Sequence, residues 1–187
     1  MKLAIVAFEN FTDIDVFLLW YLLNRVTVPD WSVQILGEQT HHTARSGLTI
    51  PMHSHVQLAN TSDVVLFSSG SETRQKMKDA DYLSQFNLNP EHQLIGSMCS
   101  GALILTALGL LQGKQATTYP TAKQLLENFG VFVVERSLVI EDNIATAAGC
   151  LAAQDLARWV MERKLGIQSI KRRLTANGFV RLITHMV

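Results

Sequence analysis

The chain has 187 residues, of which 48% are hydrophobic and 17% charged. This composition suits a folded domain that buries roughly 70% of its unfolded surface, and it excludes intrinsic disorder, collagen and coiled coil. Sixteen Lys and Arg balance sixteen Asp and Glu, so no overall basic field draws phosphate backbones and no nucleic-acid partner is expected.

Lys2 to Phe8 (KLAIVAF) is a nearly continuous apolar run of strand length, and Asp13 to Val26 places Val16, Leu19, Leu22 and Leu23 at helical spacing. This is a strand feeding a helix. Trp31 to Leu36, Asp63 to Phe67 (DVVLF) and Gln93 to Met98 (QLIGSM) read as further strands, apolar on both faces as buried parallel strands are. Between them His41 and His42 read as a polar loop. His53 and His55 share one face of a strand but lack companions to complete a ligand set, so no metal site is expected. Ser100 to Leu111, Thr121 to Phe129 and Leu151 to Leu165 are predicted helices, with Val131 to Val134, Leu138 to Glu141 and Ile144 to Ala147 as strands between them. In the last helix Asp155 reads as a surface or interface charge, and Arg158 with Glu162 as a solvated pair. The alternation predicts an open α/β sheet, mostly parallel.

The longest apolar stretches, Val16 to Leu23 and Ala102 to Leu111, are shorter than the ~20 residues that span a bilayer. No basic segment precedes a hydrophobic leader, so the expectation is a cytoplasmic protein with no membrane partner. No repeat or Pro/Gly/Ser-rich linker divides the chain, and residues 1–187 read as a single domain. From about residue 167 a short amphipathic helical tail carries Lys171, Arg172, Arg173 and Arg181, too short for an appended DNA-binding domain.

Two cysteines are too few for a disulfide framework and lack zinc-site spacing. Cys99 sits between the strand QLIGSM and the helix beginning SGALILTALGLL, at the carboxyl edge where open parallel sheets place ligands. Gly101 removes a side chain that would crowd a sharp strand-to-helix turn. The amides of the following helix favour thiolate, which predicts a Cys99 pKa below the free value of about 8.5 and a reactive thiol; an inert core cysteine is the alternative. Cys150, after Gly149 at another strand-to-helix junction, reads as a small apolar structural residue, with Thr146 and Gly149 in the same turn.

The segments MCSGALILTALGLLQGKQATTYPTAKQLLENFG and ATAAGCLAAQDLARWVMERKLG resemble the ThiJ/PfpI family of the class I glutamine amidotransferase-like superfamily. The resemblance runs from Lys2 to about Gly166. It implies a flavodoxin-like three-layer sandwich with helices on both faces of the sheet, a homodimer, and Cys99 as nucleophile on its elbow. Members carry an acidic residue at the start of the first helix that hydrogen-bonds the cysteine sulfur, and FENFTDIDVF puts Asp15 there. Asp15 has a local alternative role in a capping box with Thr12, and Asp13 is the competing carboxylate. The family's oxyanion donors are a Gly-Gly turn and the amide after the cysteine. Here that turn reads Phe67-Ser68-Ser69-Gly70-Ser71, so only Gly70 is carried over. Gly101, Thr118 and Tyr119 are the remaining pocket candidates.

The protease-like branch has His directly after the cysteine, where this chain has Ser100, which weakens a peptidase reading. None of the six histidines is next to Cys99, and His92 precedes the wrong end of its strand. The hydroxyl residue at Ser100, the aspartate at Asp15 and the TAAGCLAAQDLA segment are closer to the isonitrile hydratase branch and to the sensor domains of AraC-type regulators. The resemblance therefore implies a cysteine-dependent, cofactor-free enzyme acting on a small electrophilic substrate through Cys99, Asp15 and Ser100. Its most specific form is hydration of an isonitrile to an N-substituted formamide. The alternatives are a non-catalytic small-molecule or oxidative-stress sensor and an amidase or peptidase-type hydrolase.

Overall fold

The structure, a computed structural model, describes residues 1–166; the predicted basic tail lies outside the described residues. Seven strands form the main sheet: β1 Lys2–Val6, β2 Ser32–Gly37, β3 Ser54–His55, β4 Val64–Phe67, β5 Leu94–Met98, β6 Leu138–Glu141 and β7 Ile144–Ala147, in the spatial order β3-β2-β1-β4-β5-β7-β6. All neighbours are parallel except β6 and β7, which form an antiparallel hairpin at one edge. The helices are α1 Asp13–Leu23, α2 Thr73–Lys76, α3 Ala80–Leu83, α4 Ala102–Ala107, α5 Lys123–Asn128 and α6 Ala153–Leu165.

The pleat divides the interior in two. Leu3, Ile5, Val64 and Leu66 join the α1 residues Val16, Leu19 and Leu23 and the α6 residues Leu156, Ala157 and Val160 in one cluster. Ala4, Val6, Val65 and Phe67 face the other way, into a cluster with Leu103 and Ile104 of α4 and Leu126 of α5. Alternate residues of each central strand thus bury on opposite faces, which is why these strands are apolar without a polar side. The result is the flavodoxin-like three-layer α/β sandwich.

Four details differ from the sequence reading. The helix expected over Ser100 to Leu111 is a 3₁₀ turn at Cys99–Gly101 followed by α4, which stops at Ala107. Gly109, at φ +76°, takes the left-handed conformation that ends it. His41 and His42 are not loop residues but lie in the short strand His41–Thr43, antiparallel to Thr49–Pro51, with His42 buried against Glu9 at 3.2 Å. His53 and His55 accept backbone amides, from Ile35 at 3.1 Å and Gln57 at 3.4 Å. Arg158 pairs with Asp155 at 3.0 Å rather than with Glu162.

Candidate functional site

β1, β4 and β5 all end at the same edge of the sheet, where Val6 is level with Phe67 and Phe67 with Ser97. The segments that follow them, carrying Asp15, Ser69 and Cys99, therefore converge above the sheet. β2 and β4 flank β1 on opposite sides, so this is the switch point at which open α/β sheets bind ligands.

Cys99 is the corner of the site. Its φ of +52° is left-handed, a conformation that penalises an L residue by roughly 1–2 kcal/mol. Among the described residues the other non-glycine positions at positive φ are Asn10, Asp30 and Asp142, types that tolerate it. Two contacts impose the bend. A Cβ on Gly101 would lie 2.6 Å from the Ser68 carbonyl oxygen and 2.9 Å from that of Phe67, so only glycine lets the turn press against the end of β4. Thr118 Oγ1 donates to the Cys99 carbonyl at 2.9 Å. Thr118 is thus a buried brace under the elbow, whereas Tyr119, 47% exposed, stands at the surface.

Asp15 is fully buried at the start of α1. No capping box forms: Thr12 makes no side-chain cap, and Asp15 Oδ2 accepts the Ser69 hydroxyl at 2.6 Å. The other oxygen, Oδ1, is enclosed without a hydrogen bond of its own, and the Cys150 thiol is a further polar neighbour of the carboxyl. Burial is the main cause that lifts the Asp15 pKa above the ordinary carboxylate range, against the Ser69 hydrogen bond and the nearby Cys150 thiol, which lower it. Asp13, half-buried, bonds Ser46 instead.

Among the described residues no hydrogen bond joins Asp15 directly to Cys99. The Ser69 hydroxyl donates to Asp15, lies 2.9 Å from that of Thr12, and is among the groups that favour the Cys99 thiolate. The Thr12 amide donates to the Ser69 carbonyl at 2.7 Å, tying this turn to the start of α1.

The Cys99 thiol is raised above its ordinary pKa, contrary to the sequence expectation. Burial is the largest cause and the Asp15 charge adds to it, while Ser69, the Ser100 amide and the Arg45 cation work the other way. A six-residue helix entered through a 3₁₀ turn has too few aligned peptides to offset that burial. Cys150 is pushed up to about 12, by burial first and then by Asp15 and Cys99. Its thiol is therefore a neutral donor beside Asp15, not merely an apolar filler.

Ser100 is buried, with Oγ 3.2 Å from Thr73 Oγ1. The Gly70 amide donates to that same Thr73 oxygen at 2.9 Å, so a substrate oxygen at Gly70 has to displace Thr73. Among the described residues none of the charges acting on Cys99 is a histidine. A cleft of about 350 Å³ opens beside the elbow, lined by Thr117, Thr118, Lys123, Arg136, Ser137 and Ala148 among others. It shares Thr118 with the elbow without including Cys99.

The residues that sequence reasoning missed are Ser69, Thr73, Arg45 and, in its polar role, Cys150. The departure of Ser68-Ser69 from a glycine pair was the one signal pointing to Ser69.

The chain is similar to several known proteins. The chain is 27% identical over 145 residues to an isonitrile hydratase of Pseudomonas putida, a match covering 76% of this chain and 64% of that protein, less than two thirds of its length. It is 23% identical over 166 residues to a deglycase of Pyrococcus horikoshii, covering 87% of this chain and 96% of that one. A solved ThiJ/PfpI family protein from Pseudomonas syringae superposes with a TM-score of 0.84 at 22% identity, over 95% of this chain and 74% of the other, a likeness of fold. The family model described as DJ-1/PfpI matches residues 1–163, and the chain belongs to the DJ-1/PfpI family.

Proposed function

We propose that the protein is a cysteine-dependent enzyme on small electrophilic substrates, and that its reaction is the hydration of an isonitrile to an N-substituted formamide. The observation that carries this reading is the left-handed Cys99 elbow with the buried Asp15 carboxyl, held by Ser69, close enough for its charge to act on the thiol. The similarity to an isonitrile hydratase supports the choice of substrate.

A neutral thiol suits α-addition to R–NC. The sulfur bonds the terminal carbon while its proton, held in transit by Asp15, goes to the same carbon, giving a thioimidate. Water then adds to that carbon, the C–S bond breaks, and R–NH–CHO leaves with the thiol restored. A buried carboxyl with a raised pKa serves such a shuttle better than a fully solvated one, because it holds the proton less reluctantly. Ser100 supports the elbow through Thr73 and leaves its backbone amide for Cys99. The same neutral thiol weighs against a peroxide sensor, which needs thiolate. Among the described residues no histidine acts on Cys99, which weighs against an amidase or peptidase.

The test is incubation with a simple aliphatic isonitrile, following formamide by NMR. Cys99→Ala is expected to abolish turnover, and Asp15→Asn to lower kcat by about 10²–10⁴-fold. Turnover that survives Cys99→Ala removes the nucleophile assignment.

The homodimer implied by the sequence resemblance and the cytoplasmic location expected from the sequence belong to the same proposal. α1 (DIDVFLLWYLL) is apolar nearly all round, and Ile14, Trp20 and Tyr21 remain exposed on it, as on a helix that a second subunit covers. No helix among the described residues is long and apolar enough to cross a membrane.

A further inference from the structure

We propose that Thr73 is a specificity determinant: its hydroxyl takes the place of a carbonyl oxygen at the Gly70 amide, and so turns the site from acyl substrates toward those, such as isonitriles, whose reacting carbon bears no oxygen. This deepens the reading above and rests on its choice of Cys99 as nucleophile. Thr73 opens α2 and has no exposed surface. Its Oγ1 accepts the Gly70 amide at 2.9 Å and the Ser100 hydroxyl at 3.2 Å, and donates to the Gly70 carbonyl at 2.8 Å. One donated and two accepted bonds exhaust a hydroxyl. An oxygen of the protein itself thus sits between the turn after β4 and the residue that follows Cys99, holding an amide that an acyl substrate would use.

The backbone on either side has no room to draw back. A Cβ on Gly70 would lie 2.5 Å from the Asn10 carbonyl oxygen and 2.9 Å from Phe11 Cα, and the Ser71 amide donates to that same Asn10 oxygen at 3.0 Å. The elbow is pinned to the same turn by the approach of Gly101 to the Ser68 carbonyl. Removing the hydroxyl is therefore the direct way to release the Gly70 amide.

The consequence depends on where charge develops. When sulfur attacks an ester or amide carbonyl, an electron pair moves onto oxygen, and that oxyanion needs an N–H already in position. With the Gly70 N–H committed to Thr73, acylation lacks this donor. Addition to R–NC opens no C=O bond: the terminal carbon takes both the sulfur and the thiol proton, and oxygen arrives afterwards as water. The occupied amide penalises the first reaction and spares the second. A hydroxyl that only capped the turn would, on removal, slow both.

The test is acylation of Cys99 by p-nitrophenyl acetate, followed by mass spectrometry of the thioester, in wild type, Thr73→Ala, Thr73→Gly and Thr73→Ser, each checked for folding by thermal unfolding. In that step the sulfur bonds the acetyl carbon, the bond to the nitrophenyl oxygen breaks and the thiol proton goes to solvent, leaving S-acetyl Cys99 and p-nitrophenolate. The alanine and glycine variants are expected to acylate about 10–100-fold faster than wild type. Serine, which keeps the hydroxyl, is expected to stay at the wild-type rate. A second measurement needs no variant: in wild type the ratio of acylation to iodoacetamide alkylation at Cys99 is expected to fall below that of N-acetylcysteine. Acylation that rises in neither the alanine nor the glycine variant overturns the proposal, as does a serine variant that rises as far as alanine, or a wild-type ratio at or above that of the free thiol. Isonitrile is not needed for these readouts. Faster acylation of the alanine variant of a protein that hydrates no isonitrile upholds the role of Thr73 and refutes the hydratase reading, and isonitrile turnover with unchanged acylation does the reverse.

Discussion

Asp15 is a carboxyl group enclosed where water does not reach, and its presence opposes folding at neutral pH. Its folded pKa is raised, with burial as the chief cause. Below the ordinary aspartate range both folded and unfolded chains hold the proton, and the group is neutral in the balance. As pH rises from that range through the raised folded value, the unfolded chain releases its proton while the native chain retains it, so stability falls with pH. Asp15→Asn removes this dependence. The variant's Tm relative to wild type is expected to climb between acid and neutral pH, even as its reactivity toward isonitrile drops. Thermal unfolding across that pH range measures it, and a Tm difference that is flat or falls with pH contradicts the assignment.

At the scale of elements, the elbow depends on a close approach between the turn after β5 and the end of β4. Gly101→Ala places a methyl group 2.6 Å from a backbone oxygen of Ser68, which no flexible side chain can relieve. The expected loss is about 1–3 kcal/mol in stability by denaturant titration, together with slower alkylation of Cys99 as the turn is pushed off its bend. An alanine variant as stable and as reactive as wild type refutes the packing argument. Much of this element structure was legible in the sequence, because KLAIVAF, DVVLF and QLIGSM are short apolar runs bounded by polar residues. The strands at His41–Thr43, Thr49–Pro51 and Gln115–Ala116 were not, since runs of two or three residues of mixed polarity leave no periodic pattern. Cys99 and Asp15 were legible from their motifs. Ser69 was not, because its role exists only once the loop after β4 folds over the start of α1. Cys150 needed the alignment of Ala147 with Met98 across two parallel strands, which brings the turns after β5 and β7 together.

For the whole molecule, the open question is what covers α1. A helix with Leu18, Trp20, Tyr21 and Leu22 on or near its outer surface is expected to lie between subunits, and the protein to run as a dimer in sizing chromatography with light scattering. Tyr21 is 53% exposed, so Tyr21→Glu perturbs the folded subunit little while placing a charge in that interface. The variant is expected to elute as monomer. A wild-type monomer refutes the homodimer, and a Tyr21→Glu protein that stays dimeric moves the interface elsewhere.

The residues that gather around Cys99 come from six separate stretches of the chain, at 12–15, 45, 69–73, 99–101, 118 and 150. The thiol of a growing polypeptide therefore has an ordinary solvated character until the last parallel strand and its turn have docked. Alkylation of Cys99 during refolding thus acts as a stopwatch for final assembly: fast modification marks chains still incomplete, and suppressed modification marks those in which every contributor has arrived.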